Sequence, residues 1–142
     1  RKQEVIKKAV ELHQPDRTDG IDVLAKVGGF DLGGMAGVFL GGAAKKIPVI
    51  IDGFISAAAA LLAATICPEV KSYMLASHLS KEPAMQMILE ALGKKPLLTC
   101  EMCLGEGTGA VAIFPLLQMA EDVYKKMSTF GEISIESYKE LK

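Results

Sequence analysis

Apolar positions along the chain follow two periods, and the alternation between them sets out the expected elements. Between Lys2 and His13, Val5, Ile6, Ala9, Val10 and Leu12 fall at helical spacing with charges between them, and Gln14-Pro15-Asp16 stops the pattern. The connector Asp16-Arg-Thr-Asp-Gly20 offers cap residues for a short helix over 21–27, after which Gly28-Gly29 breaks the chain. Asp31 is the expected cap of a helix running towards Lys45 that carries Gly33, Gly34, Gly37, Gly41 and Gly42. Each glycine costs such a helix about 1 kcal/mol against Ala, so close approach to a neighbour is the expected return. Residues 47–51 are a β-branched run, expected as a strand buried on both faces. Asp52-Gly53 ends it, and an alanine-rich helix over 54–67 follows, closed by Pro68. A second strand is expected over 73–76, then a polar loop over 77–82. Pro83 suits a first helical turn, leading to a helix over 85–92 that ends at Gly93. Residues 97–99 are a weak third strand, 102–109 a loop, and 110–127 a helix whose Pro115 falls in its early turns.

Strand, loop and helix recur three times, which predicts an α/β fold: a Rossmann-like parallel sheet flanked by helices. The expected division is a core over 1–130 and a polar tail helix over 131–142. Half of the 142 residues are apolar and none is Trp, so the core is aliphatic and alanine-rich. The formal charge of −1 comes without a basic stripe and argues against a nucleic-acid partner. Residues 47–67 are apolar apart from Asp52, long enough to test as a membrane span. Pro48 and the Asp52-Gly53 break fit a strand turning into a buried helix instead, so no membrane partner is expected. Three cysteines without a dense framework fit a reducing cytoplasm. The N-terminus lacks the apolar stretch of a signal peptide and begins with Arg1, so the chain is expected to be part of something longer.

In a parallel sheet the loops after the strand ends gather at one edge, where ligands bind. Here those loops are Asp52-Gly53, 77–82 and the stretch from Thr99 to Gly109, and they hold most of the polar and glycine residues. Gly53 and Ser80 lie near helix starts, which suits anion binding or plain capping, and Lys2 adds a point charge if its helix folds over that edge. Leu104-Gly-Glu-Gly-Thr-Gly109 puts a carboxylate between two glycines, where the backbone bends sharply and a ligand can approach. The apolar 110–114 stretch is expected to surround Glu106 and raise its pKa. The spacing fits neither a Walker loop nor a dinucleotide fingerprint. On pattern alone a tight turn with an exposed Glu and a catalytic base are equally compatible with it. Cys100 and Cys103 form one pair with no second pair nearby, a weak case for metal or redox chemistry, and His78 is expected as a polar loop residue.

Several blocks together resemble one family. They are Val27-Gly-Gly-Phe-Asp31, Met35-Ala-Gly37, Ile47-Pro-Val-Ile-Ile-Asp-Gly-Phe54, Ala76-Ser-His78 with Glu82-Pro83, Leu89-Glu-Ala-Leu-Gly93 and Leu104-Gly-Glu-Gly-Thr-Gly-Ala110. In order and spacing they are similar to the C-terminal portion of the nicotinate-nucleotide–dimethylbenzimidazole phosphoribosyltransferases, so the fold is expected to be part of the complete family fold. The resemblance implies transfer of phosphoribose from nicotinate mononucleotide to 5,6-dimethylbenzimidazole, giving α-ribazole phosphate and nicotinate in cobalamin nucleotide-loop assembly. It implies Glu106 as the general base, Leu104 in the base pocket, and Lys2, Gly53 and Ser80 around the 5′-phosphate. Asp31 and Asp52 match acidic positions near the site. No metal or cofactor is implied, and a homodimer is. Because the family's N-terminal half contributes to the benzimidazole pocket, a non-catalytic nucleotide- or partner-binding module is the competing expectation for this chain.

Overall fold

A computed structural model of the chain describes residues 1–136, 138 and 139. They form two compact units, Arg1–Ala112 and Ile113–Lys142.

In the first unit, α1 (Lys2–His13) ends where Gln14 takes a left-handed conformation and returns its N–H to the Val10 carbonyl at 2.9 Å. Its apolar stripe buries nothing: Val5, Ile6, Val10 and Leu12 are all exposed. α2 (Gly20–Val27) is capped by Asp19, whose carboxylate accepts the N–H groups of Ile21 and Asp22 at 2.9 and 3.2 Å. Asp19→Ala is expected to cost about 1 kcal/mol, readable as a lower midpoint in urea. α3 (Phe30–Ala44) starts from Gly29 without a side-chain cap, so Asp31 is a first-turn residue and not the cap.

The core forms where α3, α4 (Phe54–Ile66) and α5 (Met85–Leu92) pack together. α4 turns Ala57, Ala59, Ala60, Ala63 and Ala64 inward, while Phe39 of α3 and Met85, Leu89 and Leu92 of α5 fill the space. A side chain such as Leu89, 1% exposed, contributes about 2 kcal/mol by leaving water. The glycines of α3 are not all explained by close packing. Gly42 lies against the Ile47 carbonyl and Val49, and Gly33 against Leu24, but a Cβ at Gly34, Gly37 or Gly41 would meet nothing within 4 Å.

β1 (Val49–Ile51) and β2 (Met74–Ala76) pair in parallel, with Val49 opposite Met74 and Ile51 opposite Ala76. Ile51 is fully buried, whereas Val49 and Ile50 are half-buried, so β1 is not covered on both faces along its length. Between α4 and β2 a short 3-10 helix over Pro68–Tyr73 intervenes, begun by the proline expected only to end α4. The third strand contracts to a parallel bridge between His78 and Leu98, held by Leu97 N–H to Ala76 and Leu98 N–H to Ser77 at 3.1 and 2.9 Å. Pro83 sits in a turn ahead of α5 and not in its first turn, and Gly93 closes α5 in the left-handed region at φ 67°.

The helix expected over 110–127 is two helices, α6 (Thr108–Ala112) and α7 (Phe114–Lys126). Pro115 explains the interruption. Proline has no N–H to give a carbonyl four residues back, which disfavours one continuous helix through position 115, and α7 begins afresh with the proline in its first turn. The boundary between the compact units falls at this break, ahead of the division expected at residue 130. In the second unit α7 is laced by Lys126–Asp122 at 2.8 Å and a Lys125–Glu121 pair. Residues 131–134 form a turn, and of the expected tail helix residues 137 and 140–142 lie outside the described residues. Among the described residues no helix is long and apolar enough to cross a membrane.

Candidate functional site

Three segments leave the carboxyl edge of the sheet together, and backbone bonds tie them. Ser77 N–H reaches the Ile51 carbonyl at 3.0 Å, Leu79 N–H that of Leu98 at 2.9 Å, and Lys81 N–H that of Met102 at 3.2 Å. Lys81 also pairs with Glu101 at 3.2 Å. The segments enclose an open cavity of about 410 Å³, within the range that small ligands occupy. Its wall is the start of α4 from Asp52 to Ser56, then Ser80 and Glu82, the run from Cys103 to Gly107, and Met35 of α3.

The wall's most constrained part is the turn before α6. Gly105, Glu106 and Gly107 are all left-handed, at φ 76°, 55° and 78°. Glycine adopts that region freely, whereas Glu106 stays there at a cost of roughly 1–2 kcal/mol. Bonds from its neighbours hold the turn. Thr108 gives its N–H and hydroxyl to the Gly105 carbonyl at 3.0 and 2.6 Å. The Asp52 carboxylate takes Gly107 N–H on one oxygen at 3.0 Å and Ala110 N–H on the other at 2.8 Å. Glu106 is thereby left exposed at the cavity rim. Asn at position 52 keeps one acceptor and sets an NH₂ against the other backbone donor. Asp52→Asn is expected to lower stability by about 2 kcal/mol, and amide exchange at Gly107 or Ala110 should quicken with it.

Next to this turn, and tied to it through Asp52, α4 starts at the cavity with Gly53 as its cap residue. The N–H groups of Phe54, Ile55 and Ser56 have no partner within the helix, and with the helix dipole they make an anion-favouring end. A Cβ at Gly53 would meet nothing within 4 Å, so its backbone stands open to the cavity. The Ser56 hydroxyl is committed to the Gly53 carbonyl at 2.8 Å. Ser80, 7% exposed, gives its hydroxyl to Glu82. Among the described residues no Lys or Arg lines the cavity, while Asp52, Glu82 and Glu106 do. One end therefore offers backbone donors to an anion and the rest offers carboxylates to positive charge.

Five residues singled out in the sequence meet at this cavity: Asp52, Gly53, Ser80, Leu104 and Glu106. Two do not. Lys2 stands with Arg1, Val5 and Ile6 on a separate shallow groove, because α1 packs on α2. Asp31 is exposed in the first turn of α3, where its carboxylate lies beside Gly29 near the positive end of the helix. Val111 and Ala112 are exposed and give Glu106 none of the apolar surroundings expected from the sequence. His78 is not a polar loop residue: it is 1% exposed and bonded to Ser77. Met35, Phe54, Ser56 and Glu82 also line the cavity without having been assigned a role there from the sequence; Phe54, Ser56 and Glu82 lie within three residues of Gly53 or Ser80. Cys100 and Cys103 are exposed free thiols, and among the described residues no three His, Cys, Asp or Glu side chains cluster as a metal site.

Comparison with known proteins shows the family of the chain and its fold. A family model described as Phosphoribosyltransferase matches residues 1–135. The chain is 51% identical over 138 residues to the nicotinate-nucleotide–dimethylbenzimidazole phosphoribosyltransferase of Acetivibrio thermocellus, covering 97% of this chain and 39% of that protein. It is 53% identical over 140 residues to the protein of the same name from Chloroflexus aggregans, covering 99% and 40%. The crystal structure of the Thermus thermophilus protein of that name superposes with a TM-score of 0.78 at 42% identity, over 84% of this chain and 36% of that one. The chain belongs to the nicotinate-nucleotide–dimethylbenzimidazole phosphoribosyltransferase family, as a C-terminal portion of its fold. It spans about two fifths of the length of the curated relatives it matches.

Proposed function

We propose that the chain carries the base and the phosphate end of an enzyme that moves phosphoribose from nicotinate mononucleotide to 5,6-dimethylbenzimidazole, a step of cobalamin nucleotide-loop assembly. The observation that carries this is Glu106, held in a left-handed turn at the rim of a cavity that a helix N-terminus also lines. The 5′-phosphate sits at Gly53, the first N–H groups of α4, and Ser80, whose hydroxyl turns from Glu82 to the ligand. The sugar lies between that end and Glu106. Leu104, 73% exposed at the rim, gives the aromatic acceptor an apolar surface.

The chemistry follows from proton accounting. Benzimidazole attacks the anomeric carbon through its bare ring nitrogen, which leaves the product ring cationic unless the other nitrogen loses its proton. Glu106 takes that proton as the new bond forms. The bond from the anomeric carbon to the pyridinium nitrogen breaks, and its electron pair leaves with nicotinate. Positive charge grows on the sugar during this exchange, and the carboxylates lining the cavity stabilise it. Lys2 and Asp31 do not line this cavity.

A cytoplasmic location and a homodimer belong to the same proposal, with the exposed apolar stripe of α1 as a candidate contact between copies. The test is direct. Purified protein mixed with nicotinate mononucleotide and 5,6-dimethylbenzimidazole should release nicotinate and α-ribazole phosphate in equal amounts, followed by chromatography. Tight binding of the mononucleotide with no product would instead leave a binding module.

A further inference from the structure

His78 has no part in the proton transfer just described, yet it is 1% exposed at the point where the loop segments meet. Its hydrogen pattern follows from counting. Ser77 Oγ lies 2.8 Å from the Asp52 carbonyl oxygen and 2.9 Å from His78 Nδ1. A carbonyl only accepts, and a serine hydroxyl has one hydrogen to give. That hydrogen goes to Asp52. The second contact is then a hydrogen bond only when Nδ1 carries a proton and donates it to Ser77 Oγ. In the neutral ring this leaves Nε2 as the bare acceptor.

The ring's position matters as much as its tautomer. A Cβ built on Gly109 would overlap Nδ1 and Cε1 of His78, so the first turn of α6 rests on that edge of the imidazole. Beside it, the Asp52 carboxylate holds the N–H groups of Gly107 and Ala110. Imidazole edge and carboxylate together form one bed under residues 107–110. Ser77 joins the two halves, since its single hydroxyl grips the backbone of Asp52 and the ring of His78. Glu106 is the residue next to that bed.

We infer that His78, locked as the Nδ1–H tautomer by Ser77, is a positioning residue that fixes the height and direction of the Glu106 turn. Its effect on turnover rests on Glu106 being the base; its tautomer and its hold on the turn do not. Two variants separate a positioning role from bulk. His78→Leu keeps the volume and loses the donor, while His78→Asn keeps an N–H close to the place of Nδ1. In His78→Leu, kcat is expected to fall on the order of 10²-fold, the scale of a misplaced group, with KM for nicotinate mononucleotide unchanged. His78→Asn should recover most of that loss. Deuterium exchange at the Gly107 and Ala110 amides should quicken in His78→Leu and stay slow in His78→Asn. In the unsubstituted protein, ¹⁵N spectra of the ring should report a protonated Nδ1 and a bare Nε2. An Nε2–H tautomer, equal losses in the two variants, or unchanged exchange in His78→Leu would overturn the assignment. Absence of nicotinate release from the unsubstituted protein would end the Glu106 reading instead, and the ring spectra and amide exchange would still decide the role of His78.

Discussion

Glu106→Gln should slow nicotinate release by about 10²–10⁴-fold, the usual worth of a positioned general base, and leave the fold as it was. The amide has the shape of the carboxylate but cannot take the benzimidazole proton as the ring nitrogen attacks. Because the side chain is exposed at the rim, removing its charge disturbs no packing, and stability should stay within about 0.5 kcal/mol. Glu106→Gly sharpens the test. It relieves the left-handed strain at φ 55°, so the protein should gain up to about 1 kcal/mol while its turnover disappears. A position where stability rises and activity vanishes has been kept for chemistry and not for folding. Steady-state rates beside urea midpoints read both quantities, and near-normal turnover in Glu106→Gln would remove it as the base.

Gly109→Ala should be the most damaging single methyl in the loop. The new Cβ overlaps the His78 imidazole and stands 3.0 Å from an Asp52 carboxylate oxygen. Neither neighbour can yield cheaply. His78 is buried and bonded to Ser77, and Asp52 is bonded to the N–H groups of Gly107 and Ala110. Overpacking of this kind costs roughly 1–3 kcal/mol, and relief by moving the turn would carry Glu106 out of register, with a rate loss on the order of 10²-fold. The same alanine in a His78→Ala background should cost less, since the ring it strikes is gone. Equal costs in both backgrounds would mean that the glycine is there for some other reason.

Much of this was legible in the residues themselves. The left-handed turn announces itself in Gly105 and Gly107, and the end of α5 in Gly93, because glycine's backbone preference acts locally. The alanine-rich α4 and its glycine start were equally plain. What the sequence concealed depends on neighbours. His78 reads as a loop residue until Leu98 pairs with it and Gly109 covers it. Asp31 looks like a cap by type, but Gly29 two residues earlier is where the chain turns helical. The third strand is short because only Leu97 and Leu98 find partners along Ala76 to Leu79. Pro115 falls in the early turns of the expected helix, yet one proline there is enough to end α6 and start α7.

Three consecutive residues around the carboxylate proposed as the base wind in the left-handed sense, which elsewhere in the same loop Glu101 alone adopts among the described residues. Across Gly105, Glu106 and Gly107 the backbone is, for one turn, that of a mirror-image peptide. Synthetic replacement of the flanking glycines by D-alanine matches that hand, whereas L-alanine opposes it, so the stretch selects on chirality before it selects on side chain. A carboxylate of natural hand, Glu106, stands in the middle of it as the single asymmetric choice, and on the proposed function that is where the direction of proton removal is set.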